Sequence, residues 1–246
     1  MPRRLLTRRW VLTHLVLLVV VAACVALGLW QLRRLEERRE RNAAVTAGLD
    51  LPVRPIEEVG GEADYRRVTV RGAYDPAREY VLVGRSLDGT SGNHLVTPLY
   101  PVEGGPALIV DRGWVPEGSE EQAAPPDGPV ELRGVLLPPE EGGSIGEGRT
   151  VVRVNTGLLG ADLGREVRRD YLLLRDQEPA QPGPLPRAAP LPELGEGPHL
   201  SYAVQWFLFA AVAVGGWVVL VRRELRRYPS RGGGGMPSGQ TQGSRE

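Results

Sequence analysis

Two uncharged apolar runs of nearly equal length set the terms on which this 246-residue chain can fold. Trp10 to Trp30 reads WVLTHLVLLVVVAACVALGLW, and Tyr202 to Val221 reads YAVQWFLFAAVAVGGWVVLV. At about 1.5 Å per residue, a helix of about 20 residues matches a hydrocarbon layer about 30 Å thick. Each run is therefore expected to span a membrane. Trp10 and Trp30 fit the interfacial belt, where an amphipathic ring prefers the headgroup level.

Arginines near the ends of the runs predict the orientation. Arg3, Arg4, Arg8 and Arg9 precede the first run, and Arg222, Arg223, Arg226 and Arg227 follow the second, so both termini are expected in the cytoplasm. Arg33, Arg34, Arg38, Arg39 and Arg41 stand on the other side of the first run. The segment between the runs is far longer than about 60 residues, however, and long domains cross largely regardless of charge. The central domain is thus expected outside the cytoplasm. Two targeting patterns compete with a retained first helix: Thr7-Arg8-Arg9-Trp10 faintly resembles a twin-arginine signal, and Val21-Ala22-Ala23-Cys24 a lipoprotein cleavage box. Against cleavage, the apolar run continues through VALGLW beyond Cys24, where a cleaved lipoprotein turns polar. With no room for a mitochondrial presequence before Trp10, a bacterial plasma membrane is the expected home.

The net charge of +0 conceals an acidic middle: Ala44 to Pro198 carries 25 acidic residues against 15 arginines. Duplex affinity comes largely from neutralised phosphates, so no nucleic-acid partner is expected. Cys24 is the one cysteine, which excludes a disulfide framework and a paired-thiol copper or redox motif. After the first run, QLRRLEERRERNAAV is rich in helix formers, and the helix is predicted to continue to about Val45 and end near Gly48. Short strand-like runs follow: YRRVTVRG, EYVLVGR, HLVTPLY, ALIVDRGWV, VELRGVLL, TVVRV and YLLLR, most of them separated by Gly, Pro or Asp. This pattern predicts a compact antiparallel sheet or partly closed barrel, with one short helix in NTGLLGADLG. The proline-rich Gln177 to Pro198 suits a semi-rigid extended tether, and SRGGGGMPSGQTQGSRE is low-complexity.

The expected class is therefore an α+β membrane protein, in which two transmembrane helices bracket an extracytoplasmic antiparallel, barrel-like β domain. Its parts are a cytoplasmic tail (1–9), a first transmembrane helix (10–30), a juxtamembrane helix (31–48), a connector (49–64), the β domain (65–176), a Pro-rich linker (177–198), a second transmembrane helix (199–221) and a low-complexity cytoplasmic tail (222–246).

Chemistry is sparse. Ser86, Ser91, Ser119 and Ser144 lie in Gly- or acid-rich turns without a G-x-S-x-G elbow, so no nucleophilic enzyme is expected. His14, His94 and His199 fall on separate elements, which is poor spacing for zinc. His94 reads as a strand-end polar residue, and Arg112-Gly113-Trp114 as a strand ending in a turn that presents a cation and a ring. His14 lies one turn inside the first run, where an ionisable residue usually faces a partner or a cavity, although an interfacial neutral imidazole is the plainer reading. His199 opens the second helix, and helical spacing lines it up with Tyr202, Ala203 and Trp206. At matching depth on the first helix lie Gly28, Trp30, Gln31, Arg33 and Arg34. A porphyrin would find there an imidazole for iron, aromatic walls, and arginines for its propionates. The plainer alternative is that His199 merely helps the helix begin at the interface.

In order along the chain, LGLWQLRR, YRRVTVRGAY, HLVTPLY, LIVDRGWVP and HLSYAVQWFLFA resemble the surfeit locus protein 1 family of cytochrome oxidase assembly factors, over about Trp10 to Arg223. The resemblance implies a non-enzymatic, membrane-anchored helper in biogenesis of haem-copper cytochrome oxidase that assists delivery of haem a to the core subunit, with the haem A synthesis machinery as a further partner. It makes His199 the proposed ligand of the haem iron; helical spacing and depth add Tyr202, Trp206, Trp30, Arg33 and Arg34 as the surrounding candidates. Members often carry a polar pair before that histidine, where this chain has Gly197-Pro198. The alternative function is a cofactor-free membrane scaffold that binds oxidase subunits. A retained first helix predicts an intact mass that includes the residues before Cys24; a mature chain starting at Cys24 would exclude it.

Overall fold

A computed structural model describes residues 7–60, 64–192 and 194–227; Arg3, Arg4 and the low-complexity sequence from Tyr228 onward lie outside the described residues. The chain divides into two compact units, one built from Met1–Arg38 with Glu196–Glu246 and the other from Arg39–Gly195.

Helix α1 (Arg8–Asp50) runs a few residues past its expected end and contributes to both units, whereas α3 (His199–Arg227) belongs to the first. Both are long and apolar enough to cross a membrane. Within this unit they pack as an antiparallel pair: His14 of α1 meets Trp217, Gly28 meets Phe207 and Gln31 meets His199. Rising numbers on one helix therefore meet falling numbers on the other, so Arg8 and Arg9 share an end of the pair with Arg222 and Arg223. The least exposed positions recur at intervals of four and three: Trp10, His14, Leu17, Val21, Cys24, Gly28, Gln31 and Leu35 on α1, and His199, Ala203, Trp206, Ala210, Ala213 and Trp217 on α3. That is the seam spacing of a coiled coil. Away from the seam the helices present bare apolar side chains such as Leu18 and Val212, a surface that fits a membrane protein.

The second unit is built on eight strands: β1 (Arg54–Pro55), β2 (Arg67–Tyr74), β3 (Tyr80–Leu87), β4 (Thr90–Pro101), β5 (Leu108–Pro116), β6 (Pro129–Leu137), β7 (Thr150–Val151) and β8 (Tyr171–Glu178). They pair in the order β1-β2-β6-β8-β5-β4-β3-β7, and β2 also pairs with the end of β4, where Ala73 faces Tyr100. That extra pairing closes β2, β6, β8, β5 and β4 into a barrel. The interior takes apolar residues from all five of these strands, among them Val68, Leu99, Val110, Leu132 and Leu172. A second cluster, including Tyr80, Ile109, Val135 and Leu173, packs against α2 (Thr156–Leu163) through Leu159. Neighbours on one strand, such as Ile109 and Val110 or Leu172 and Leu173, fall into different clusters. Burial on both faces is why ALIV and YLLL read as continuous apolar runs rather than alternating ones.

The sheet is mixed, which corrects the expectation of an antiparallel one. β8 is antiparallel to β6 but parallel to β5, with Val110 opposite Leu172, and β1–β2 and β3–β7 are also parallel. Parallel neighbours need a long crossover. Here β6, β7 and α2 lie between β5 and β8 in the chain. The helix in that crossover forms where NTGLLGADLG places it: the Asn155 side chain accepts from Leu158 N–H at 3.1 Å, and Gly164 ends it in the left-handed region at φ 63°.

The Arg112-Gly113-Trp114 stretch also departs from expectation. β5 continues to Pro116, so the triplet lies inside the strand, with Arg112 and Trp114 buried rather than presented in a turn. A buried guanidinium requires partners on its own scale. Arg112 donates to Glu79 at 2.8 Å, to the Ala123 carbonyl at 2.7 Å and to Gln181 Oε1 at 3.0 Å, and it stacks on Tyr74 at 5.5 Å. Burial pushes the Tyr74 phenol far above its ordinary pKa, so it stays a neutral donor to Gln177 at 3.1 Å. Part of the proline-rich segment is held against this strand. Trp114 N–H donates to the Arg187 carbonyl at 2.7 Å, and Arg187 N–H returns the bond at 2.8 Å. Gly113, at φ 126°, allows that approach, because a Cβ there would lie 2.3 Å from the Arg187 oxygen. Ala189 is buried just beyond and accepts from Arg175. Replacing Arg112 with Met strips the cation from the Glu79 carboxylate, which keeps the Thr97 hydroxyl, and is expected to cost about 3–5 kcal/mol in chemical denaturation; the Arg112→Met/Glu79→Met double variant should recover part of it, since the buried Thr97 hydroxyl then loses its acceptor.

Candidate functional site in the helix pair

The start of α3 is built from three residues with distinct tasks. Gly197 adopts φ 69° and turns the chain into the helix. Pro198 then caps it: its carbonyl accepts from Tyr202 N–H at 3.1 Å and from the Ser201 hydroxyl at 2.7 Å. Proline lacks an N–H, which costs nothing at a helix start, where the first amides have no intrahelical partner. His199 is the first helical residue.

The half-buried His199 ring meets α1, where its Nδ1 lies 2.9 Å from Gln31 Oε1. Its other edge faces Gly197. A Cβ at that glycine would sit 3.4 Å from Cδ2 and 3.5 Å from Nε2, in ordinary van der Waals contact with the ring, so what calls for glycine here is the positive φ rather than space. One turn further on, Ala203 is buried in the seam, and the Phe207 ring lies against Gly28. A Cβ on Gly28 would come within 2.8 Å of that ring, which makes this glycine the condition for the helices' close approach.

Of the residues singled out from the sequence, His199 and Trp206 lie on the seam, Trp206 in edge contact with Phe209 at 5.8 Å. Tyr202 points outward and is 47% exposed, because the seam runs through 199, 203 and 206 and position 202 is one helical step off it. Trp30 is likewise exposed, with the Arg34 guanidinium 5.8 Å over its ring; Arg34 also pairs with Glu37 at 2.9 Å. Arg33 is exposed. The contact between Gln31 and His199 is what sequence reasoning missed. Its signal was a polar residue three positions after Gly28, inside a seam otherwise lined by small and apolar side chains.

The other two histidines are engaged elsewhere. His14 Nδ1 contacts the Trp10 carbonyl, and its ring meets Trp217 edge-on at 5.6 Å. His94 lies inside β4 rather than at a strand end, since the strand begins at Thr90; its Nδ1 is 2.8 Å from Asp111 Oδ2 and both side chains are largely buried. Asp111 Oδ1 accepts from Gly113 N–H at 3.1 Å, so this pair braces the β4–β5 bulge. Among the described residues, no three His, Cys, Asp or Glu side chains converge as a metal cluster.

The profile of the SURF1 family matches residues 18–211, a range that takes in Gln31, the whole β domain and His199. This chain belongs to the SURF1 family. An uncharacterized SURF1-like protein of Mycobacterium bovis is 28% identical over 257 residues, covering 96% of this chain and 93% of its own length. A SURF1-like protein of Rickettsia felis is 32% identical over 133 residues, 52% of this chain and 58% of the relative. Surfeit locus protein 1 of Takifugu rubripes is 29% identical over 121 residues, 41% of this chain and 50% of its own. Membership agrees with the resemblance carried by LGLWQLRR and HLSYAVQWFLFA, the segments that supply the two sides of the helix seam in this SURF1-family chain. The Gly28→Val change is expected to part the helices. Spin labels at the exposed Leu29 and Leu208 should then report a longer, broader distance distribution, and a compensating Phe207→Ala change should restore the original one.

Proposed function

We propose that this SURF1-family protein assists assembly of haem-copper cytochrome oxidase by holding haem a at His199 and releasing it to the core subunit. The observation that carries the reading is the His199 ring: it is anchored through Nδ1 to Gln31, which leaves Nε2 as the ring nitrogen free of that bond. The residues present fit the group. Nε2 is the nitrogen that would take the iron and Trp206 offers ring surface on the seam, while Tyr202, Trp30, Arg33 and Arg34 stand on the outer faces beside it, where a porphyrin at the exposed edge of the pair would meet their rings and guanidinium groups. When bound, haem a would supply an iron able to accept the Nε2 lone pair of His199. His199 orients it, the apolar seam beside the ring limits water, and a single imidazole favours release over permanent retention. The protein acts without covalent chemistry of its own.

The same reading sets the protein in a bacterial plasma membrane with both termini cytoplasmic and the β domain outside. Arginines at the shared end of the helix pair support that orientation. The membrane lipid, the oxidase core subunit and the haem A synthesis machinery are then its partners, and nucleic acid is not. A cofactor-free scaffold for oxidase subunits is the second reading. It is favoured by Ala211 and Gly215, which lie off the seam, with open space around Gly215.

Co-expression with haem A synthesis separates the two. The purified wild type should show a Soret band that His199→Ala loses. Identical spectra at equal haem content would remove the ligand assignment, and haem-free protein that still captures the core subunit would favour the scaffold.

A further inference from the structure

Of the pairs that define the helix seam, Gln31 with His199 is the one in which two polar side chains meet. Gln31 turns its Oε1 toward the ring, and an amide oxygen can only accept, so in this orientation the proton in the bond belongs to the imidazole, at Nδ1. In this orientation the other tautomer would set the Nδ1 lone pair against the Oε1 lone pairs at 2.9 Å, at a half-buried point of the seam. With Oε1 turned toward the ring, the amide holds one tautomer and one ring orientation together; turned by about 180° it would present N–H to an unprotonated Nδ1 and hold the other.

We propose that Gln31 is the positioning residue of this site: it holds His199 with the proton on Nδ1 and the lone pair on Nε2, ready for a metal-bearing ligand, and its neutrality keeps Nε2 a modest donor. The ligand's identity as haem rests on the reading above, but the tautomer is a property of the ligand-free protein. A carboxylate in place of the amide would draw the Nδ1 proton toward itself and raise the basicity of Nε2. A neutral amide fixes the ring without that gain, which suits a site that must let its ligand go.

The test uses the full-length chain in lipid nanodiscs with ¹⁵N-labelled histidine, first without haem. Wild type should show His199 with Nδ1 protonated and a pyridine-type shift at Nε2; Gln31→Leu should lose that preference, and the near-isosteric Gln31→Glu should keep it. With haem a titrated in, Gln31→Leu should bind about 10–100-fold more weakly. Gln31→Glu should restore affinity and lower the Fe(III)/Fe(II) reduction potential below that of wild type. A wild-type ring protonated at Nε2 would overturn the proposal, as would a Gln31→Leu variant with unchanged tautomer and affinity. The expected tautomer in a protein that takes up no haem would uphold the role of Gln31 and sink the haem reading instead.

Discussion

A ring nitrogen half-buried at the seam of two apolar helices needs a polar partner, and that demand, met by Gln31 for His199, organises the helical unit. The bond forms only if the helices come close. Gly28 provides the approach by leaving room for the Phe207 ring, and Ala203 fills the next layer without pushing the backbones apart. Close packing and the polar contact thus depend on each other: a larger residue at 28 would widen the seam and leave the imidazole unpaired. The outcome is a histidine whose orientation is set before any ligand arrives. A group held in advance spares a ligand the cost of ordering it on binding.

The β unit solves a different electrostatic problem. Arg112 is buried inside a strand, and its charge is matched by Glu79 while its remaining donors reach the Ala123 carbonyl and Gln181. These partners come from separate stretches of chain, so one side chain ties together the approach to β3, the turn after β5 and the proline-rich segment. Gly113 next to it lets the Arg187 backbone pair with Trp114. What reads in the sequence as an arginine and a tryptophan displayed to solvent is a fastening point. The His94–Asp111 pair belongs to the same structure and fixes the bulge where β4 and β5 change register. Polar residues that might have suggested chemistry in this domain are largely occupied in holding it closed.

Much of the architecture was legible because its causes are local. The two apolar runs announce their helices through length and absence of charge. The strands follow from short apolar stretches between turn residues, and α2 from Asn155 and Gly164 at its ends. The parallel arrangement of β5 and β8 was not legible, nor was closure of the barrel by β2 on β4. Strand pairing joins residues far apart in the chain, and the strands themselves carry no mark of which neighbour they will take. For the same reason the proline-rich segment read as a tether: nothing in PGPLPRAAP reveals that Arg187 will pair with Trp114.

The candidate site divides along this line. Sequence by itself determined that His199 stands at the first turn of an apolar helix, that Gly197 and Pro198 precede it, and that Gln31 follows Gly28 near the end of the other apolar run. Only the tertiary structure decided which of the neighbouring polar and aromatic residues meets the histidine. Trp30, Arg33 and Arg34 lie within a few positions of Gln31, yet the seam faces α3 with Gln31 and turns those three outward. The physical reason is that a hydrogen bond across 168 residues depends on the rotation and depth at which two helices dock. Those are set by the small residues packed between them rather than by the sequence around either partner alone.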